Sequence, residues 1–248
     1  MGETQFMLIG KGITKRFGGL VALFHLDFEV GEKEVVGLIG PNGSGKTTLF
    51  NVISGFQRPD EGTLSFRGKR MDGRKPYEIA KMGVGRTFQI VKPLLAMTAL
   101  ENVSVGVLYG REGGMDMKRA RQKAEEMIHF TGLDKRIHVR ATDLALADRK
   151  RLEIARALAA KPEILLLDEV FAGLNPTEIE EAIGLVKKIQ DRTGIAIFII
   201  EHVMKAILRI CGKIIVIHQG EKIAEGSPRE VVGNPQVIEA YLGNVAGI

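Results

Sequence analysis

Residues 40–48 read Gly-Pro-Asn-Gly-Ser-Gly-Lys-Thr-Thr, the spacing G-x-x-x-x-G-K-[ST], and no other stretch restricts the fold so tightly. The apolar run Val35-Val36-Gly37-Leu38-Ile39 precedes them and a helical stretch from Thr47 to Ile53 follows. A strand, a tight loop and a helix are therefore expected in succession. The glycines let the main chain turn so that its N–H groups converge, and the helix N-terminus adds partial positive charge in the same direction. Such a loop suits a polyphosphate. Lys46 supplies a point charge for the outer phosphates, and the Thr47 hydroxyl is a ligand for Mg²⁺. A glycine-rich turn carrying a solvated lysine would need neither the strand nor the helix. Gly40, Pro41, Asn42, Gly43, Ser44, Gly45, Lys46, Thr47 and Thr48 are thus expected to bind a nucleoside triphosphate.

The 248 residues suffice for a large α/β core with a smaller inserted or appended unit. Hydrophobic content of 45% and charged content of 26% are ordinary globular values. A net charge of +5 permits an anionic partner, but the basic residues are scattered apart from Arg149-Lys150-Arg151. Aromatic content of 6% leaves no stacking platform for single strands, so no nucleic-acid partner is expected. One cysteine, Cys211, excludes an internal disulfide or a cysteine-based metal site and reads as a buried thiol. Met1 to Gly12 lack the features of a signal peptide, and the apolar run Ile195 to Ile200 is far too short to span a bilayer. The expected location is the cytosol, free or docked on something.

The first 70 residues read as short strands with turns, such as Val21 to Val30 and Gly62 to Arg67, with Gly55 stopping the phosphate-loop helix. Character changes over residues 92–155. Ala120, Ala124, Met127 and Ile128 recur at helical spacing within Met115 to Thr131, and Gly132 suits a C-terminal cap. This stretch is expected to form a helical insertion. After Lys161-Pro162, strands and helices alternate. Ile164 to Leu167 form a buried strand, and Asn175-Pro176-Thr177-Glu178 supply a cap, a first-position proline and a third-position acid. Ile179, Ala182, Ile183, Val186 and Ile189 share one helical face, Gly194 ends that helix, and strands follow at Ile195–Ile200 and Lys213–Ile217. Such alternation predicts a mainly parallel sheet covered on both faces.

Asp168 and Glu169 end the Ile164–Leu167 strand, and α/β sheets bind ligands at the C-terminal ends of their strands. Two helix-capping acids would be the plain alternative. Beside a phosphate loop, Asp168 is instead expected to hold Mg²⁺ through water and Glu169 to polarise the attacking water. His202 follows another strand. Histidines there are usually structural, but a neighbouring strand end would let this one reach the γ-phosphate. Gln89 in Gly85-Arg86-Thr87-Phe88-Gln89 is an unremarkable loop residue by itself. Phe17 is either core or a ring on which an adenine stacks.

In chain order these features resemble the ATPase subunit of an ATP-binding-cassette transporter over almost the full length. The resemblance implies a P-loop ATPase core of α/β class with a mainly parallel sheet, a small antiparallel β subdomain and an inserted helical subdomain at 92–155, all within one ATPase domain. It implies an adenine-stacking Phe17, Gln89 in a loop that senses Mg²⁺ and the membrane partner, and the stretch Leu144–Lys150 opening a helix from Arg149 to Ala160. Ala145, Leu146, Ala147 and Asp148 would then contact ATP held by a second subunit, and Ala172 to Pro176 would line the dimer. The implied catalytic residues are Lys46, Glu169 and His202. ATP and Mg²⁺ are the implied cofactors. Partners would be a second ATPase subunit, two permeases and, through them, a substrate-binding protein, placing the chain on the cytoplasmic side of the membrane. Arg86 to Gln89, Met97 to Val103, Leu152 to Leu158, Gly173 to Glu178 and Asn234 to Gly243 are similar to the branched-chain amino-acid importers. Importers of urea and short amides share much of this wording, and soluble non-transport relatives use the same clamp.

Two departures from the family pattern stand out. The helix usually opens with L-S-G-G-Q, whereas residues 144–148 read Leu-Ala-Leu-Ala-Asp. Ala145 removes a hydroxyl, Ala147 adds a methyl and Asp148 adds negative charge toward a phosphate. Because this motif acts across the dimer, two unequal sites and a heterodimer are expected. Val170 stands where proline commonly follows the acids, which alters loop stiffness more than chemistry.

Overall fold

The computed structural model describes residues 6–89 and 93–242, so the expected insertion boundary at Lys92 and the terminal Gly243 lie outside the described residues. The elements are β1 (Phe6–Phe17), β2 (Leu20–Gly31), β3 (Val35–Ile39), α1 (Lys46–Ile53), β4 (Glu61–Phe66), β5 (Lys69–Arg70), α2 (Pro76–Met82) and β6 (Val84–Arg86). They continue with α3 (Ala99–Tyr109), α4 (Met117–Thr131), α5 (Leu146–Ala159), β7 (Ile164–Asp168), α6 (Pro176–Thr193), β8 (Ala196–Ile200) and α7 (Met204–Ile210). The chain then runs through β9 (Lys213–His218), β10 (Glu221–Gly226), α8 (Pro228–Val232) and α9 (Pro235–Leu242).

Two sheets result. One is antiparallel, in the order β2-β1-β4-β5. The other runs β10-β9-β3-β8-β7-β6 and is parallel except at its β10 edge, as alternating strands and helices predict. Side chains alternate between its faces. Ile164, Leu166, Phe198, Ile200, Ile215 and Ile217 join the core shared with α1 and the antiparallel sheet. Leu165, Leu167, Ile197, Ile199, Ile214 and Val216 join the core under α5, α6 and α7. Burial on both faces is why these strands read as unbroken apolar runs. The same period of two carries Asp168 to the α1 face, in phase with Leu166.

A third core joins α3, α4 and α5 through Val103, Ala120, Ala124, Ile128, Leu152 and Ala155. The α5 helix belongs to two cores, since Ile154 and Leu158 pack beneath the parallel sheet while Leu152 and Ala155 face α3 and α4. Residue 155 therefore falls inside α5. The α6 cap forms as its residues dictate, with Asn175 Oδ1 accepting from Glu178 N–H and Glu178 Oε2 accepting from Asn175 N–H. Gly194 closes that helix at φ 63°. Two expectations need correction. The strands β1 and β2 are long rather than short, 12 residues each. The α5 helix begins at Leu146, not Arg149, because extended Ala145 is its cap and Arg149 N–H already bonds Ala145 O at 2.9 Å.

Phe198 joins the layers, its ring 5.8 Å from Phe28 of β2 and 5.3 Å from Phe50 of α1. Phe198→Ala is expected to cost about 3–5 kcal/mol, the penalty of a large buried cavity, read as a lower urea midpoint at unchanged slope.

Candidate functional site

The C-terminal ends of β3, β7 and β8, the start of α1 and the loop after β6 close on a cleft of about 640 Å³. Phe17, Asn42, Gly43, Ser44, Gly45, Lys46, Thr47, Thr48, Gln89, Glu169 and His202 line it. The loop takes its shape from the glycines at the positions that need them. Gly45 has φ 105°, and a Cβ there would lie 2.5 Å from Ala22 O; one on Gly40 would lie 2.0 Å from Ile217 O. Neither position admits a side chain. The Lys46 ammonium is buried and bonds Gly40 O and Pro41 O, each at 2.8 Å. Burial lowers its pKa, against the pull of Glu169 and Asp168.

Both oxygens of Glu169 are held. Gln89 Nε2 donates to Oε2 at 2.8 Å and His202 Nε2 lies 2.8 Å from Oε1. Residues far apart in sequence thus converge on one carboxylate. Its backbone has φ 51°, and Lys150 Nζ of α5 donates to its carbonyl at 2.7 Å. Asp168 is 1% exposed, which rules out a capping role on α6. Its Oδ2 accepts from Arg86 Nη2 at 3.0 Å, while buried Oδ1 has no hydrogen-bond partner. Burial raises its pKa and Arg86 opposes that rise. Among the described residues no group of three or more His, Cys, Asp or Glu converges to hold a metal ion. The donors present, the Asp168 carboxylate, the Thr47 hydroxyl and the Gln89 amide, are hard oxygens. They fit a Mg²⁺ that takes its remaining ligands from phosphate and water.

Phe17 ends β1 at 44% exposure beside the cleft, so it is not core. Ala145, Leu146, Ala147 and Asp148 do not line this cleft. They form the cap and first turn of α5, where Leu146 is 45% exposed and Asp148 pairs with Arg136 at 3.2 Å. Cys211 is buried as expected, with its thiol pushed up to about 12 by burial.

Several residues at the site escape a reading of the sequence. Gln219, Leu20, Val21 and Ala22 complete the cleft, and the amide of Gly220 donates to Ser44 O at 3.1 Å. Glu201 is 1% exposed, and its carboxylate accepts from Phe171 N–H at 2.6 Å and from His202 N–H at 3.2 Å. It therefore fixes the chain on both sides of the Glu169–His202 contact. An acid directly after the wholly apolar Ala196–Ile200 strand was the available signal. Arg86 and Glu153, which accepts from Phe88 N–H at 3.2 Å, carried no comparable mark.

The model of the family described as ABC transporter matches residues 23–172, and that described as Branched-chain amino acid ATP-binding cassette transporter matches residues 221–246. The chain is 40% identical to the high-affinity branched-chain amino acid transport ATP-binding protein LivG of Escherichia coli strain K12, covering 97% of this chain and 99% of the relative. It is 39% identical to BraF of Pseudomonas aeruginosa, with 94% and 96% covered. Among solved structures, a nucleotide-free ATP-binding cassette from an ABC transporter superposes with a TM-score of 0.87 at 32% identity over 96% of this chain and all of that one. A dimeric post-hydrolysis cassette bound to ADP and Pi gives 0.82 at 28% identity, with 90% and 99% covered.

Burial pushes Glu201 up to about 7 against its two amide donors and Lys150. Between pH 4.5 and 7 the unfolded chain sheds this proton while the folded chain keeps it. Stability therefore falls as pH rises through that window, by up to about 3 kcal/mol, and levels off above pH 7. Urea unfolding at pH 5 and pH 7.5 is expected to show a smaller drop for Glu201→Gln than for the wild type.

Proposed function

The chain belongs to the ABC transporter family of ATP-binding cassettes, and on that premise we propose that it is the ATP-hydrolysing subunit of an importer for branched-chain or other hydrophobic amino acids. The observation that carries the reading is the Glu169 carboxylate, clamped by Gln89 and His202 across the cleft from Lys46. That geometry supports the following roles for the site residues. Phe17 offers a ring face to adenine at the mouth of the cleft. The amides of residues 42–48 and the Lys46 ammonium take the β- and γ-phosphates, for which Lys46 must exchange bonds to Gly40 O and Pro41 O. Thr47 and Gln89, with Asp168 acting through water, would hold Mg²⁺, and the bound ion would neutralise charge developing on the phosphates. Glu169 accepts a hydrogen bond from the attacking water and orients it in line with the γ-phosphate. His202 Nε2 holds Glu169 in place before nucleotide binds and would have to exchange that contact to donate toward a phosphate oxygen. Water adds to phosphorus as the β–γ bridging bond breaks, yielding ADP and inorganic phosphate.

Among the described residues no helix is long and apolar enough to cross a membrane. In this reading the chain is peripheral, held on the cytoplasmic face by two permeases that receive substrate from a binding protein. Residues 92–155 act as its helical unit. The altered opening of α5 supports pairing with a different ATPase subunit. Ala145 brings no hydroxyl, and Leu146 projects an exposed isobutyl group that ends 3.0 Å from the Cβ position of Gly173. Asp148 is less repulsive to phosphate than its charge suggests, because Arg136 neutralises it. ATP held by Lys46 meets the partner's motif, whereas the partner's ATP meets this one.

Calorimetry with ATP and Mg²⁺ is expected to show binding that Lys46→Ala abolishes. Glu169→Gln should retain ATP affinity within a few-fold, lose at least about 10²-fold in turnover and accumulate a closed dimer on gel filtration. Normal turnover in that variant would mean the water is handled elsewhere. Turnover of the purified chain is expected to rise when a second ATPase subunit of the same transporter is added; full activity alone rules out the unequal pair.

A further inference from the structure

The Arg86 side chain, at the end of β6, is 6% exposed and bonds in three directions. Nη2 donates to Asp168 Oδ2 at 3.0 Å, while Nη1 donates to Asn51 Oδ1 at 2.8 Å and Ser54 Oγ at 2.6 Å. Three rings enclose the guanidinium, with Phe88 at 4.8 Å and Phe50 and Phe56 each at 5.8 Å. Asn51 lies four residues after Thr47 on α1, and Ser54, the residue that caps the helix, three further, so all three fall on one side of it. Arg86 therefore grips the Asp168 carboxylate and the α1 face that carries the Thr47 hydroxyl. These are the protein oxygens expected on either side of Mg²⁺. With Oδ2 held by Arg86, the unpartnered Oδ1 is the oxygen left for a cation.

We propose that Arg86 is the positioning residue of the metal site, fixing the Asp168–Thr47 spacing and committing one carboxylate oxygen so that the other faces Mg²⁺. The inference rests on the ATPase reading above. A planar fork with separated donors spans two elements at once, whereas a lysine ammonium in the same cage supplies charge but cannot hold both Asp168 and α1 in register. Phe88 lies next to Gln89 and binds Glu153 of α5 through its amide, so the same cage borders the loop that reaches Glu169.

The test is calorimetry of ATP binding with and without Mg²⁺ on the full chain, together with a Mn²⁺ titration followed by electron paramagnetic resonance at saturating ATP. Wild type, Arg86→Lys and the tether variant Asn51→Ala/Ser54→Ala would be compared. Arg86→Lys is expected to bind metal-free ATP within twofold of wild type while its Mn²⁺ affinity falls at least tenfold. The tether variant keeps the Arg86–Asp168 bond and is expected to lose three- to tenfold in Mn²⁺ affinity. A general structural defect would lower the melting temperature and weaken ATP with and without metal alike. Mn²⁺ affinity within twofold of wild type in either folded variant overturns the proposal, and the tether variant decides the matter should Arg86→Lys fail to fold. Absence of ATP binding by the wild-type chain would instead refute the ATPase reading itself.

Discussion

Three cations and three carboxylates, Lys46, Arg86, Lys150, Asp168, Glu169 and Glu201, are withdrawn from water at one edge of the parallel sheet, and their mutual compensation shapes everything around them. A charge moved out of water costs several kcal/mol unless it is paired and hydrogen-bonded. Asp168 is stabilised by Arg86, Glu201 by two backbone amides with Lys150 nearby, and Lys46 by carbonyls of its own loop. Removing either member of the Arg86–Asp168 pair would leave a buried charge exposed to its full desolvation cost, on the order of 3–5 kcal/mol. Such a cluster does little for net stability compared with an apolar core. It gives placement, since every carboxylate oxygen of the three acids except Asp168 Oδ1 has an assigned neighbour.

The α5 helix is the mechanical counterpart of this cluster. Its Lys150 bonds the carbonyl of Glu169, its Glu153 bonds the amide of Phe88 next to Gln89, and its apolar faces pack both on α3 and α4 and beneath the sheet. A shift of α5 would act on the carbonyl of Glu169 and on the amide of Phe88, the neighbour of the Gln89 that bonds Glu169. The position of α5 and the chemistry at Glu169 are thus joined through hydrogen bonds to main chain.

The phosphate loop, the acids after Leu167 and the Asn175–Glu178 cap were legible in the sequence because each is a local rule, satisfied by residues within one turn or one strand end. The parallel sheet was legible because burial on both faces leaves continuous apolar runs. What the sequence concealed depends on pairing between distant segments. Arg86 and Asp168 are 82 residues apart, and Glu153 and Phe88 are 65 apart. An arginine at a strand end and a glutamate in a helix look like solvated charges until the fold closes over them. The start of α5 was misplaced by three residues because Ala145 caps it without a side-chain hydrogen bond, so the usual polar cap signal was missing.

The two faces of the molecule follow different logic. The cleft around Lys46 is over-determined, with glycines where a Cβ cannot fit and both oxygens of Glu169 already assigned. The N-terminus of α5 is under-determined. The side chains at its opening are two methyls, an exposed isobutyl group and a carboxylate already paired with Arg136. A helix N-terminus attracts phosphate through dipole and amides alone, worth about 0.3–1 kcal/mol where solvent reaches it. With no hydroxyl among these side chains, dipole and amides are all that the opening of α5 offers an anion.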